Sequence, residues 1–375
     1  MRLYLEKRDH IKAFSRFPVL TIALLLAIFM SFLVLWSVGV NPFEAYLIVG
    51  EEIFLTDYGW QDLLVKITPL LLTGAAVALA AQMKLWNIGA EGQFHMGTFA
   101  VTWGALNFGH LNTFSLIPFL LILSIIGGGL WGCIPGVLKS RFGVNEIITS
   151  LLLNYVAAAW VDYHLFGDWR DPASNNFPIT PGFSESARLP NYFDSDVHAG
   201  LFLALFVILV LTFLLKKTRI GMKIQLAGDN LDAARYSGIS IGMLTLIIFA
   251  VSGAIAGMAG FSEVSGVHYR LQQNISLGYG YTGIIVAWLA RNHPLGILLS
   301  SFLMAVIFVS AEILQIEYGL PISVVFLYQG IILFTVLGSE IFVEYRLRLQ
   351  KIGHHLENVW GDIQSQSLKS QFKSQ

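Results

Sequence analysis

Ten stretches of this chain are apolar over lengths close to that needed to cross a lipid bilayer. They run over residues 18–40, 63–82, 87–108, 115–138, 144–166, 199–215, 243–265, 279–290, 294–315 and 320–342. A helix rises 1.5 Å per residue, so about 20 residues cover roughly 30 Å of hydrocarbon. Inside lipid every backbone amide and carbonyl must find its partner within the protein, and helices achieve this segment by segment. The expected fold class is therefore an all-α polytopic membrane protein. Composition agrees, with 13% charged residues against about 25% in soluble domains. The first stretch exceeds the roughly 7–15 residues of a signal-peptide core and is read as a retained helix. The eighth is short, and Gly278, Gly280 and Gly283 predict a broken or half-inserted helix, so eight to ten spans are expected.

The charges orient the chain. If the N-terminus is inside, only Arg170, Arg188 and Arg270 fall outside and Lys66 falls within a segment; the other 19 of the 23 Lys and Arg are inside. This positive-inside asymmetry puts both termini in the cytoplasm. The expected organisation is a cytoplasmic segment 1–17, a transmembrane region 18–342, and a cytoplasmic tail 343–375 that is partly disordered. External loops are expected at 41–62, as an amphipathic helix, and at 167–198, ordered by four prolines. Net charge is -1 and gives no sign of a nucleic-acid partner. The single cysteine, Cys133, leaves no disulfide to form within the chain. Glycines at 127–129, 132 and 136, and at 253, 257 and 260, predict close helix packing.

One connector stands out. Residues 216–242 are polar and basic, and inside them Asn230 to Gly238 reads as a small capped helix. Asn230 suits the N-cap, Asp232 the positive start, Arg235 the negative end and Gly238 the stop. A compact helix built into the main basic loop of a membrane protein suits a handle for a soluble partner, with the small Ala233 and Ala234 expected to face that partner.

Polar residues inside apolar segments mark the other candidates. In Lys84 to Phe94, the residues Asn87, Gly89, Glu91, Gly92 and Gln93 interrupt the apolar run. The stretch reads either as a turn whose Asn and Glu cap the next helix or as a re-entrant element lining a path. Glu146 and Asn154 are two turns apart on nearly one helix face, where they either line a path or bond a neighbour. Asn87, Glu91, Gln93, Glu146 and Asn154 are the candidate pathway residues. Lys66, Glu263 and Glu312 lie near outer ends and are expected to snorkel to water. His95 is expected to be a packing residue. No P-loop, zinc-binding or nucleophile motif is present. No catalytic residue, metal or cofactor is expected, and the chain is read as a non-enzyme.

Three blocks carry a resemblance. Leu85-Trp86-Asn87-Ile88-Gly89-Ala90-Glu91-Gly92-Gln93, then Asn145 to Tyr155, then Gly228 to Ile239, in this order, resemble the permease subunits of ABC importers for simple sugars and nucleosides. The similarity is strongest to nucleoside permeases that work with basic-membrane-protein-type binding lipoproteins. Trp86 stands where that family usually has Phe. The resemblance implies a type II importer-like permease in a bacterial cytoplasmic membrane. It implies a second permease subunit, identical or related, a cytoplasmic ABC ATPase, and an external solute-binding lipoprotein. It assigns Asn230, Asp232, Ala233, Ala234, Arg235 and Gly238 to ATPase coupling. Nucleosides are the expected solute and simple sugars the alternative. An ion-coupled carrier is the rival reading, and it would require paired broken helices and midspan coupling groups.

Overall fold

The computed structural model describes residues 2–7, 16–192 and 195–350. The expected disorder at the end of the tail lies outside the described residues. Apart from one two-stranded ribbon, the described chain is helical, and all ten apolar stretches form helices. Two compact units are distinguished, one from residues 43–320 and one from 1–42 with 321–375.

The larger unit begins with α2 (Pro42–Phe54), a helix in the stretch read as the first loop, and α3 (Asp57–Ala81). It continues through α4 (Ala90–Phe108), α5 (Thr113–Phe142), α6 (Glu146–Phe166) and α7 (Gly200–Lys217). Two short helices follow, α8 (Arg219–Asp229) and α9 (Leu231–Tyr236), then α10 (Ile241–Glu263), α11 (Tyr279–Leu289) and α12 (Pro294–Tyr318). Among the described residues, five helices are long and apolar enough to cross a membrane by length and composition: α3, α5, α7, α10 with the turn that follows it, and α12. Helix α3 is the centre, buried at every residue from 67 to 80. Helices α5 and α10 meet through their glycines, because a Cβ at Gly128 would strike the Gly253 carbonyl and one at Gly253 the Gly128 carbonyl. This close approach is the packing that the small residues predicted.

The eighth apolar stretch forms one short, uninterrupted helix, and the irregular backbone lies before it. Helix α10 ends in a π turn, Val264–His268, and a coil leads to the 11-residue α11. The coil and turn are sewn to the 167–198 loop: Thr180 N donates to Leu271 O, Phe183 N to Tyr269 O and Leu189 N to Ser265 O, at 2.7–3.0 Å. Arg188 closes the seam, donating to Phe183 O and lying 5.0 Å above the Tyr269 ring.

In the other unit, α1 (Arg16–Ser37) packs along α13 (Ile322–Glu344). Strand β1 (Arg2–Lys7) pairs antiparallel with β2 (Tyr345–Gln350), from Arg2 opposite Gln350 to Lys7 opposite Tyr345. This ribbon departs from the all-helical expectation. Both sequences, Arg-Leu-Tyr-Leu-Glu-Lys and Tyr-Arg-Leu-Arg-Leu-Gln, place Leu at every second position, which is a strand period.

Candidate functional site

The chain breaks between α3 and α4. Lys84 takes a left-handed conformation, φ 55°, and turns the backbone away from α3. The polar residues of this stretch then organise the break. Asn87 Oδ1 accepts from Gly89 N and Gln93 Nε2, while its Nδ2 donates to Gln93 Oε1 and Ser252 Oγ, both at 2.8 Å. Ser252 passes the chain on to the Ala76 carbonyl at 2.6 Å. All hydrogen-bonding positions of the Asn87 amide are used. From α6, Asn154 accepts from Gly92 N at 2.8 Å and donates to Ile88 O at 2.9 Å and to the Tyr281 hydroxyl at 3.3 Å.

Glu91 does not cap its own helix. Its carboxylate accepts from Ser276 Oγ and, at 2.8 Å, from the amide of Gly280 at the start of α11. It therefore caps this short helix, where the positive helix end favours an anion. Gly280 is required here, because a Cβ would collide with the Glu91 main chain. The His95 ring stands 3.7 Å from the same carboxylate.

The structure thus brings together four of the five residues singled out from the sequence. Asn87, Glu91, Gln93 and Asn154 form one buried network across α3, α4, α6, α10 and α11. Glu146 shares the buried stripe of α6 with Asn154 but belongs to another place. It pairs with Lys139 of α5 at 2.7 Å. That pair borders a cleft of about 750 Å³ whose other wall is Gly228 to Leu231 and Arg235.

The handle is built as its caps predicted. Asn230 Oδ1 accepts from Asp232 N and Ala233 N, both at 3.0 Å, and Asp232 pairs with Arg235 at 3.3 Å. Gly238, φ 77°, closes α9, with Ile239 N donating to Ala234 O. One expectation is corrected. Ala234 is 0% exposed and faces the body of its own chain, because the six-residue helix lies down on the body rather than standing clear. The outward face is Leu231, Asp232, Arg235 and Tyr236, the last 93% exposed. Helix α8, which the sequence reading did not foresee, holds α9 in place. Its buried Gly221, Ile224, Ala227 and Gly228 form a helical stripe. At Gly228 a Cβ would strike the Gln82 carbonyl, so α8 rests directly on the turn that ends α3.

A second correction concerns the outer ends. Lys66 bonds Glu312 at 2.6 Å instead of reaching for water. Glu263 is only 3% exposed, held by His268 at 3.5 Å and by the Tyr279 hydroxyl. Partners from the π turn and from α11 make this burial tolerable. Beyond the spans, burial in the 167–198 seam pushes the His198 imidazole down to about 4.

A family model described as branched-chain amino acid transport system / permease component matches residues 60–337. The chain belongs to this permease family. It is 34% identical to the glucose ABC transporter permease protein of Haloferax volcanii, over 92% of this chain and 94% of the relative. It is 32% identical to the guanosine ABC transporter permease protein NupP of Bacillus subtilis, over 88% and 95%. It is also 28% identical to the nucleoside ABC transporter permease protein NupB of Lactococcus lactis, over 84% and 89%. With its apolar helices, this family membership makes the chain a multi-pass membrane permease of the sugar and nucleoside ABC type.

Proposed function

We propose that this chain is the membrane pathway subunit of an ATP-driven importer in the cytoplasmic membrane of a bacterium, and that its solute is a nucleoside. The observation that carries the proposal is α9, a capped helix that presents Leu231, Asp232, Arg235 and Tyr236 outward from a chain with no nucleotide-binding motif. Such a chain draws its driving force from a partner. In this reading a cytoplasmic ABC ATPase grips α9, an external lipoprotein delivers solute, and a second permease subunit, identical or related, completes the path. Ten crossings with both tails inside fit the charge asymmetry, and pairing of β1 with β2 supports placing both tails on one side. Asn87, Glu91, Gln93 and Asn154 act on the pathway by holding the broken element at its wall, and Glu146 acts beside the coupling segment.

A sugar is the second reading, favoured by the identity to the glucose permease. Both are tested by reconstituting the chain with its ATPase, partner permease and binding protein in proteoliposomes. Uptake of labelled guanosine that depends on ATP and is not competed by glucose supports the nucleoside reading; the reverse pattern replaces it with the sugar. Uptake driven by an ion gradient without ATP would overturn the importer reading altogether.

A further inference from the structure

A smaller cavity, about 180 Å³, lies between the α3–α4 turn and α11. Ligand sites that take whole drug-sized molecules measure roughly 300–1,000 Å³, so this one has room for a single ring system. Its walls include Trp86, Trp288 and Ile284, with Lys84, Asn87 and Asn292 as the polar side chains. The Trp86 and Trp288 rings are tilted against each other, with centroids 5.5 Å apart and planes at 59°. Each is well exposed, 41% and 44%, so ring surface remains open beside the cavity. Two consecutive left-handed residues, Arg291 at φ 51° and Asn292 at φ 58°, form the turn that sets Asn292 at its edge. The Asn292 side-chain carbonyl oxygen is buried and has no hydrogen-bond partner.

We propose that this cavity is a nucleobase subsite, in which a purine ring stacks on the tryptophan pair with its edge toward Asn292. The proposal rests on the importer reading above and names which part of the solute is gripped. Polar content decides between a base and a sugar ring. Asn87 has committed every position of its amide within the break. That leaves the Asn292 amide and the Lys84 ammonium among the polar side chains. A monosaccharide brings several hydroxyls, and each one buried without a partner costs as much as an unsatisfied hydrogen bond. A nucleobase brings two apolar π faces and confines its polar groups to an edge, which suits aromatic walls and one amide. The rival account of the tryptophans is anchoring at the membrane interface, which requires no solute.

The test uses the permease–ATPase assembly in nanodiscs without the binding protein, so that the latter's own site does not contribute. Binding of labelled guanosine and adenine is measured by equilibrium dialysis, with ribose and glucose as competitors. Saturable binding that the sugars leave intact is expected. Trp288→Leu, which keeps apolar bulk but removes the π face, is expected to weaken it roughly 5- to 150-fold, and Trp288→Phe much less. Equal binding by Trp288→Leu, displacement by ribose, or no binding of either base compound overturns the proposal and leaves the anchoring account. The two readings fail separately. ATP-driven guanosine uptake by the full complex with no base binding in nanodiscs sinks only the subsite. Loss of ATP-dependent uptake of every solute sinks the importer reading.

Discussion

Asn154→Leu separates a residue that merely touches a pathway from one that holds the broken element together. The side chain makes three bonds: from Gly92 N at 2.8 Å, to Ile88 O at 2.9 Å and to the Tyr281 hydroxyl at 3.3 Å. Leucine is close in size and apolar, so the loss is chiefly polar. Polar contacts between membrane helices average about 0.6 kcal/mol each, which gives a floor near 2 kcal/mol for three. Two of the partners are main-chain groups left buried, and an orphaned buried group costs about 1–3 kcal/mol, which raises the ceiling to roughly 6 kcal/mol. We therefore expect Asn154→Leu to lower the thermal midpoint of the purified chain in detergent by several degrees and to reduce uptake with it. The readout is a thermal melt followed in parallel with uptake. Wild-type melting of Asn154→Leu with normal uptake would refute the claim that this amide staples the break. Normal melting with lost uptake would show direct contact with solute instead.

Four other outcomes follow from the geometry. Tyr236→Ala should reduce recovery of the ATPase with the chain while leaving its melt unchanged, whereas Ala234→Trp should lower the melt because that position is closed by the chain itself; co-purification with equal yield for Tyr236→Ala counts against docking on this face. In a Cys133→Ser background, a cysteine at Glu185 should be labelled from outside and one at Ser240 only from inside, and the reverse pattern sinks the orientation. Gly228→Val should displace α8 from the Gln82 carbonyl and reduce solute moved per ATP hydrolysed; an unchanged ratio in a stably folded variant argues against that contact as a coupling route. His198 is held neutral by burial, with its imidazole near 4 against 6.5 when exposed, so the unfolded chain binds the extra proton first and stability falls as pH drops through the window from about 6.5 to 4. The loss should be on the order of 2 kcal/mol at pH 5, and His198→Phe should flatten the dependence of the melt on pH across that window.

How much of this was legible in the sequence depends on the range of the interaction. The ten apolar runs became helices because length and composition are local. Asn230 starts and Gly238 ends a helix where expected, because capping bonds reach only two to five residues. Glu91 was marked as costly, yet its partners Ser276 and Gly280 lie 185 and 189 residues away. No local pattern links them, so the sequence offers a cap for its own helix or a lining group on a path, and neither reading contains the cap on α11. Glu263 differs, because His268 and Tyr279 follow it by only 5 and 16 residues; what hides them is the π turn and coil that fold α11 back, which the helical period of α10 does not reveal. Helix α8 had a usable signal that was passed over: Thr218 is a good N-cap, and Ile220, Ile224 and Ala227 recur at helical spacing ahead of Asn230. The inward turn of Ala234 had none, because a six-residue helix is too short for its apolar face to stand out.

The same distances explain why the break and the handle belong to one mechanical account under the importer reading. Helix α9 follows α8 without a spacer beyond Asn230, and α8 meets the end of α3 at Gln82 with no side chain between them at Gly228. Gln82 in turn donates from Nε2 to the Asn292 carbonyl at 2.6 Å, which fixes the turn after α11. A displacement of α9 therefore reaches both edges of the tryptophan cavity, Lys84 to Ile88 on one side and Asn292 on the other, through two contacts. Neither contact has a flexible linker to absorb the motion. Asn87 has every position of its amide used, and Gln93 and Asn154 add bonds to it and to the main chain at Gly92 and Ile88, so the stretch is tied at several points and a tied stretch transmits a shift instead of dissipating it. Under that reading we propose that the polar network beside this short lever serves transport by moving as one piece, without any of its atoms having to touch the solute.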